Sequence, residues 1–309
     1  MVTRERDRIA AVTRFSLADV VRALEALYPP DTAQSWDQVG LVAGDLDQPV
    51  ERIHFAVDPT LAVIEEARSL GADLLVTHHP LLLRGIHSVA TSGAKGASVT
   101  SLVVHDIALY VAHTNADVAT PGVNDALAAA CGLTQTEPLA FAEGQPLGRV
   151  GDLAAPTTLA ELAQVLHAAL PRAAGGLRVA GPADAVVRRV AVAGGAGDDL
   201  FDAVRACGAD VYVTADLRHH PALEAREESR GGTPYLVDAG HWATESLWLQ
   251  TAADGLAEAL AGAVAGRAAG SPRVETHIST LRTDPWDFTV GAEAPEHLQH
   301  QQGRTGGTS

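Results

Sequence analysis

The sequence predicts an α/β fold made of two related α/β lobes that arise from an internal duplication. Three observations predict it. Strand-like and helix-like apolar periodicities alternate along the chain. The alternation recurs with matching anchors. Apolar residues make up 47% of the 309 positions, enough for a sizeable core.

The elements follow in order. Residues 16–28 (SLADVVRALEALY) repeat at helical spacing, with Ser16 as the N-cap. IHFAVD (53–58) reads as a strand and TLAVIEEARSLG (60–71) as a helix closed by Gly71. ADLLVT (72–77) and IALYVAHT (107–114) are further strands, and GVNDALAAACG (122–132) is a helix ending before Gly132. TLAELAQVLHAALP (158–171) is an amphipathic helix, and 172–186, rich in Ala, Gly and Pro, is a connector. RVETHISTLRTDP (273–285) alternates like a strand.

The first unit then repeats. VRRVAVAGGAGDDLFDAVRACGADVYVTADLRHH (187–220) echoes IHFAVDPTLAVIEEARSLGADLLVTHHPLLL (53–83). Gly71-Ala72-Asp73 matches Gly208-Ala209-Asp210, and Thr77 matches Thr214 at the same offset. PYLVDAGHWATESLWLQ (234–250) follows the second unit much as LYVAHTNADVATPGVNDALA (109–128) follows the first. We read an internal duplication: a first lobe over 1–135, a connecting segment with its helix over 136–186, a second lobe over 187–290 and a disordered tail over 291–309. His297 and His300 fall in that tail.

Composition excludes several classes. The net charge of −16 and the absence of a basic stripe argue against nucleic-acid binding. Only Cys131 and Cys207 occur, with no CxxC, which fits a reducing cytoplasm. The N-terminus lacks the apolar core of a signal peptide, and no stretch approaches the ~18 uncharged apolar residues of a membrane helix.

The chemistry collects at the ends of the predicted strands. His78 and His79 stand side by side after the apolar run LLVT, at the carboxyl end of a strand, where open α/β sheets bind ligands. Pro80 holds the exit extended. Alone, such a pair reads as polar residues capping a strand. In DAGHWATESLW (238–248), His241 and Glu245 are four apart and share one face of a helix, a good pair for a first-row metal. Asp117 follows a strand in the same topological place, although Asn115 and Asp117 also suit a turn. Three imidazoles and two carboxylates at such exits suit two divalent ions sharing one site. His113 and His220 are the candidates for touching substrate, and each equally reads as an ordinary core or surface histidine. Gly194-Gly195-Ala196-Gly197 follows a strand and precedes a helix, so its amides could hold a phosphate, but it reads better as a tight turn.

SWDQVGLVAGD (35–45), GADLLVTHHPLL, HTNADVATPGVNDALA, GADVYVTADLRHH and VDAGHWATES occur in a characteristic order. Over about residues 15–285 the chain resembles the Ngg-interacting-factor-three-like family of dinuclear metal proteins, commonly called GTP cyclohydrolase I type 2 homologs. The resemblance implies a toroidal homohexamer and a two-metal site on His78, His79, Asp117, His241 and Glu245, with Glu245 bridging. The chain departs from the family at Ala215-Asp216, where Gly-Asp is usual, and at Arg218-His219-His220, where Lys-Tyr-His is usual. Trp36 and Asp37 lie in a shared motif that a packing corner explains equally.

The resulting expectation is a metal-dependent hydrolase acting on a nucleotide or phosphoester-like substrate, with zinc, iron, manganese or cobalt as the ions. The rival is a non-catalytic scaffold, metal carrier or regulatory adaptor with the same ligands. The two differ in whether a substrate pocket adjoins the metals.

Overall fold

The computed structural model describes residues 14–264 and 272–291. The fold is mixed α/β with several sheets. The expected tail, with His297 and His300, lies outside the described residues apart from Gly291.

A five-stranded sheet runs in the order Glu275–Ile278, Arg52–Ala56, Leu74–Thr77, Ala108–Val111, Gly40–Ala43. The first four strands are parallel and the last is antiparallel to its neighbour. A six-stranded sheet runs Leu133–Ala142, Gln145–Thr158, Val186–Ala196, Val211–Ala215, Tyr235–Asp238, Arg178–Ala180. Its central pairs, Val186–Ala196 with Val211–Ala215 and Val211–Ala215 with Tyr235–Asp238, are parallel. In both sheets three consecutive parallel strands sit side by side, and a strand preceding them pairs antiparallel to the third.

Local chemistry explains the helices that frame the sheets. The Leu17–Leu27 helix starts from Ser16, whose hydroxyl accepts from the Asp19 amide while Asp19 reaches back to the Ser16 amide. The Leu61–Ser69 helix is capped by Thr60, and Gly71 leaves it at φ +66.

Two helices hold the sheets together. The Trp248–Ala263 helix follows a strand of the six-stranded sheet, yet its Leu249, Ala252, Leu256 and Leu260 pack with Leu17, Val20 and Leu24 in the core of the five-stranded sheet. The Val123–Ala130 helix follows a strand of the five-stranded sheet, and its Leu127 and Ala128 pack in the core of the six-stranded sheet. Trp248 is fully buried at this junction, its Nε1 donating to Tyr28 Oη at 3.2 Å. Truncating such a residue costs about 3–5 kcal/mol.

Two expectations need correction. The connector over 136–186 is largely sheet: Leu133–Ala142 and Gln145–Thr158 form a hairpin that joins the six-stranded sheet, and Arg178–Ala180 is its far edge. The hairpin escaped notice because its register shifts between Thr134 and Glu137, which breaks the alternation. The strand expected over 273–285 is only Glu275–Ile278; beyond it the chain leaves the sheet.

Candidate metal centre

His78 and His79 lie just past the Leu74–Thr77 strand. Their amides still pair across the sheet, with the carbonyls of Ala56 and Val57 at 3.1 and 2.8 Å. Thr77 Oγ1 donates to the His79 carbonyl at 2.9 Å and fixes the exit. Both rings reach the same carboxylate. His79 Nε2 is 3.0 Å from Glu245 Oε2, and His78 Nε2 is 3.4 Å from Glu245 Oε1.

His241 and Glu245 come from the opposite sheet. The chain leaves Tyr235–Asp238, turns at Gly240 (φ +81) and enters the His241–Ser246 helix. Its 3.6-residue period puts the two side chains on one face, with His241 Nε2 3.0 Å from Glu245 Oε1. His241 Nε2 also lies 3.3 Å from His79 Nε2. Asp117, in the Thr114–Val118 helix, places Oδ1 3.6 Å from His78 Nε2. The structure thus brings all five expected residues to one place.

Each ring is held through its Nδ1. His78 Nδ1 donates to the Ala112 carbonyl at 2.9 Å, His79 Nδ1 to Asp58 Oδ1 at 2.7 Å and His241 Nδ1 to Asp216 Oδ2 at 2.8 Å. In a neutral ring this leaves the Nε2 lone pair facing inward. The centre is therefore a knot of acceptors. His78 Nε2, Asp117 Oδ1 and Glu245 Oε2 are buried and lack a hydrogen-bond partner. Buried acceptors pointed at one another are destabilising unless a cation sits among them.

The titration of the bare cluster shows the same tension. Burial pulls the His79 imidazole down, but Glu245 and Asp58 overcome it and push it up to about 10. Burial likewise opposes, and Asp216 and Glu245 raise, His241 to about 11. Burial favours the neutral form of Glu245, yet His78 and His79 hold its carboxyl well below the usual range. Burial lifts Asp117 to about 6, partly offset by His78. The anions demand positive charge, and without an ion only protons supply it.

His113 joins the centre, its ring 5.1 Å from His78 and 5.5 Å from His79. His78, His79 and His113 form one group whose ligand atoms lie within 4.8 Å of one another, and His79, His241 and Glu245 form a second. His113 Nδ1 donates to Asp37 Oδ1 at 2.9 Å, and Asp37 Oδ2 accepts from the Thr114 amide and hydroxyl. Asp37 thus orients a centre histidine, a job beyond packing a corner. His220 is not brought to the centre: it is exposed at the start of the His219–Glu228 helix, its ring against His219.

Three supporting residues escaped the sequence reading. Asp58 and Asp216 each stand just past a strand and orient a ring; an acid at that position was the available signal. Gly195 is the third. Its φ is +67, and a side-chain carbon there would collide with Glu245 Oε1 and lie 3.2 Å from His241 Nε2. The Gly194 amide is spent on Asn124 Oδ1 and the Gly195 amide on Thr244 Oγ1, so these amides are not a phosphate cradle.

Two α/β sheets whose strand exits converge on three to four imidazoles and two inward carboxylates define an α/β protein with a candidate histidine–carboxylate metal centre. The chain belongs to the Duf34/NIF3 (NGG1p interacting factor 3) family, whose sequence profile matches residues 15–273. A Streptomyces coelicolor relative named GTP cyclohydrolase 1 type 2 homolog is 51% identical over 284 residues, covering 90% of this chain and 96% of its own. A Mycobacterium leprae relative of the same name is 34% identical and covers 88% and 95%. The crystal structure of a Bacillus cereus protein related to NIF3 superposes with a TM-score of 0.77 at 27% identity, covering 88% of this chain and 98% of that one.

Proposed function

We propose that the chain is a dinuclear metal protein acting as a metal-dependent hydrolase. His78, His79, Asp117, His241 and Glu245 would hold the ions, with Glu245 placed to serve both, in a cleft between two lobes related by duplication. The observation that carries this reading is that His78 Nε2, Asp117 Oδ1 and Glu245 Oε2 meet in one place, buried and without a hydrogen-bond partner, while His78, His79 and His241 each spend Nδ1 on an oxygen acceptor. Unpaired buried acceptors are unfavourable, and cations among them remove that cost. The donors are nitrogen and oxygen without thiolate, a set that suits zinc, iron, manganese or cobalt. Four strands with the same order and directions in each sheet, three parallel and one antiparallel at the edge, support the duplication.

Ions bound there supply an activated water and an electrophilic contact to a carbon–nitrogen or phosphoryl centre. The chain's own residues do the rest. Asp58 and Asp216 fix the tautomer and direction of His79 and His241, as carboxylates behind metal-binding imidazoles commonly do. Asp37 does the same for His113, leaving Nε2 free at the edge of the centre to hold or pass a proton. A cavity of ≈ 970 Å³ opens onto His79 and His241. That cavity favours the hydrolase over a metal carrier, which has no use for a substrate chamber.

The name shared by the curated relatives makes GTP the first substrate to try. Turnover of GTP, other nucleotides and phosphoesters, by protein loaded with each metal and by chelated protein, tests the reading. Metal-dependent release of product supports it; a loaded protein that turns over nothing in the panel returns the chain to the scaffold class. The assembly we propose is a homohexamer, which light scattering reads as about six times the 32.0 kDa chain. We place the protein in the cytoplasm: no described helix is long and apolar enough to cross a membrane, and both cysteines are free.

A further inference from the structure

A separate cavity of ≈ 370 Å³ has none of the five candidate metal ligands in its lining. It sits where the two cores meet. Val57 and Leu249, which line it, belong to the core of the five-stranded sheet, Leu170 to that of the six-stranded sheet, and Trp242 packs against both. Val57, Val63 and Leu249 are buried and form its floor, and Leu281, 37% exposed, stands at its mouth. Close-packed interiors leave few voids, and an apolar cavity of only ~150 Å³ already takes up benzene.

The lining chemistry narrows the occupant. No charged side chain lines the cavity among the described residues. Three of its four hydroxyls have already given their protons: Ser246 Oγ to the Ala243 carbonyl, Ser279 Oγ to Glu66 Oε2 and Thr283 Oγ1 to Asp58 Oδ2. The fourth, Thr280, is exposed at the mouth. The inner oxygens therefore offer lone pairs and no proton. A carboxylate brings a charge that nothing in the lining balances, and acceptors that meet acceptors. An alcohol brings an apolar body for the walls and a proton for one of the oxygens.

The cavity also touches the frame of the candidate metal centre. His241 and Glu245 share one face of the His241–Ser246 helix, and Trp242 and Ser246, about 100° further round, line the cavity. Val57 precedes Asp58, the carboxylate that receives His79 Nδ1.

We propose that this cavity binds a small uncharged molecule with an apolar body and one hydroxyl, and that its occupancy steadies the His241–Ser246 helix. The site goes beyond the hydrolase reading and does not depend on it.

The test is calorimetric titration of the full chain, stripped with chelator so that the outcome is independent of the ions. The probes are 1-butanol, 1-pentanol, 1-hexanol and hexanoate. Saturable uptake is expected, about fourfold tighter for each added CH₂, with hexanoate at least about tenfold weaker than 1-hexanol. Amide exchange in the His241–Ser246 helix is expected to slow at least about fivefold with saturating 1-hexanol, while the Leu17–Leu27 helix, which does not border the cavity, is unchanged. Ala169→Trp and Leu281→Asp alter exposed positions of the lining and are expected to weaken 1-hexanol at least about tenfold. Val165→Trp, on the same helix as Ala169 but outside the lining, is expected to leave binding as it is. Circular dichroism establishes that each variant is folded. Absence of saturable uptake, hexanoate binding as well as 1-hexanol, both folded lining variants binding like the parent, or unchanged exchange in the His241–Ser246 helix overturns the proposal. A cavity that a second copy of the chain closes takes up no alcohol, and Leu281→Asp then lowers the mass seen by light scattering; that result overturns it too. Alcohol uptake by a chain that binds no metal refutes the metal centre and spares this site, and metal uptake without alcohol binding does the reverse.

Discussion

Glu245→Gln removes one charge from the point where the two sheets' contributions meet. Glu245 is buried, and its two oxygens lie 3.0 Å from His79 Nε2, 3.0 Å from His241 Nε2 and 3.4 Å from His78 Nε2. No other carboxylate among the described residues approaches all three rings. Glutamine keeps the shape, but its amide nitrogen cannot ligate a cation and its oxygen carries no net charge. Breaking a buried charged partnership costs about 3–5 kcal/mol. At 1.4 kcal/mol per decade, that weakens metal binding by roughly 100- to 4000-fold. We expect loss of at least one ion and of any hydrolytic turnover, with circular dichroism unchanged. Asp254→Asn is the control: Asp254 is exposed on the Trp248–Ala263 helix, accepts from Gln250 Nε2 at 2.9 Å and touches nothing in the centre. Metal per chain, fold and rate are measured for both variants. A Glu245→Gln protein with its full complement of ions and full activity refutes the ligand set.

Other consequences follow from the same geometry. Asp58→Asn weakens the hold on His79 and is expected to lower metal affinity by about 10- to 100-fold, read by competition with a chromophoric chelator. Gly195→Ala places a carbon against Glu245 in a left-handed backbone, and a lower melting temperature together with weaker metal uptake is expected. The pH dependence of stability should reverse between the metal-free and loaded proteins. His79 and His241 are raised to about 10 and 11, so their contribution to the metal-free protein is complete below about 6.5 and is lost as pH climbs toward 10–11. Ions compete with those protons, so the extra stability from metal should grow with pH. Melting temperatures of chelated and loaded protein from pH 6 to 9 check this; a gap that shrinks with pH contradicts it.

How much of this was legible in the sequence depends on how local each signal is. The parallel strands around His78 show as apolar runs because both faces of each strand are covered. His241 and Glu245 show because helical spacing alone puts them on one face. The hairpin over 133–158 does not show, since its register shift and its Gly148, Gly151 and Pro156 blur the alternation. The edge strand Arg178–Ala180 is too short to carry a pattern. Asp58 and Asp216 are single acids whose meaning depends on rings 21 and 25 residues away. Gly195 reads as an ordinary turn glycine until the His241–Ser246 helix is packed against it. What escapes is contact between distant segments, and the layer around the centre is made almost wholly of such contacts.

The central claim is that the inward-facing acceptors of His78, His79, Asp117, His241 and Glu245 exist to hold a pair of ions. Elemental analysis of the full chain, stripped with chelator, reloaded separately with zinc, iron, manganese and cobalt, and desalted, tests it most directly. The account predicts saturation at about two ions per chain with at least one of these metals. Folded protein that saturates at one ion or fewer with all four contradicts it.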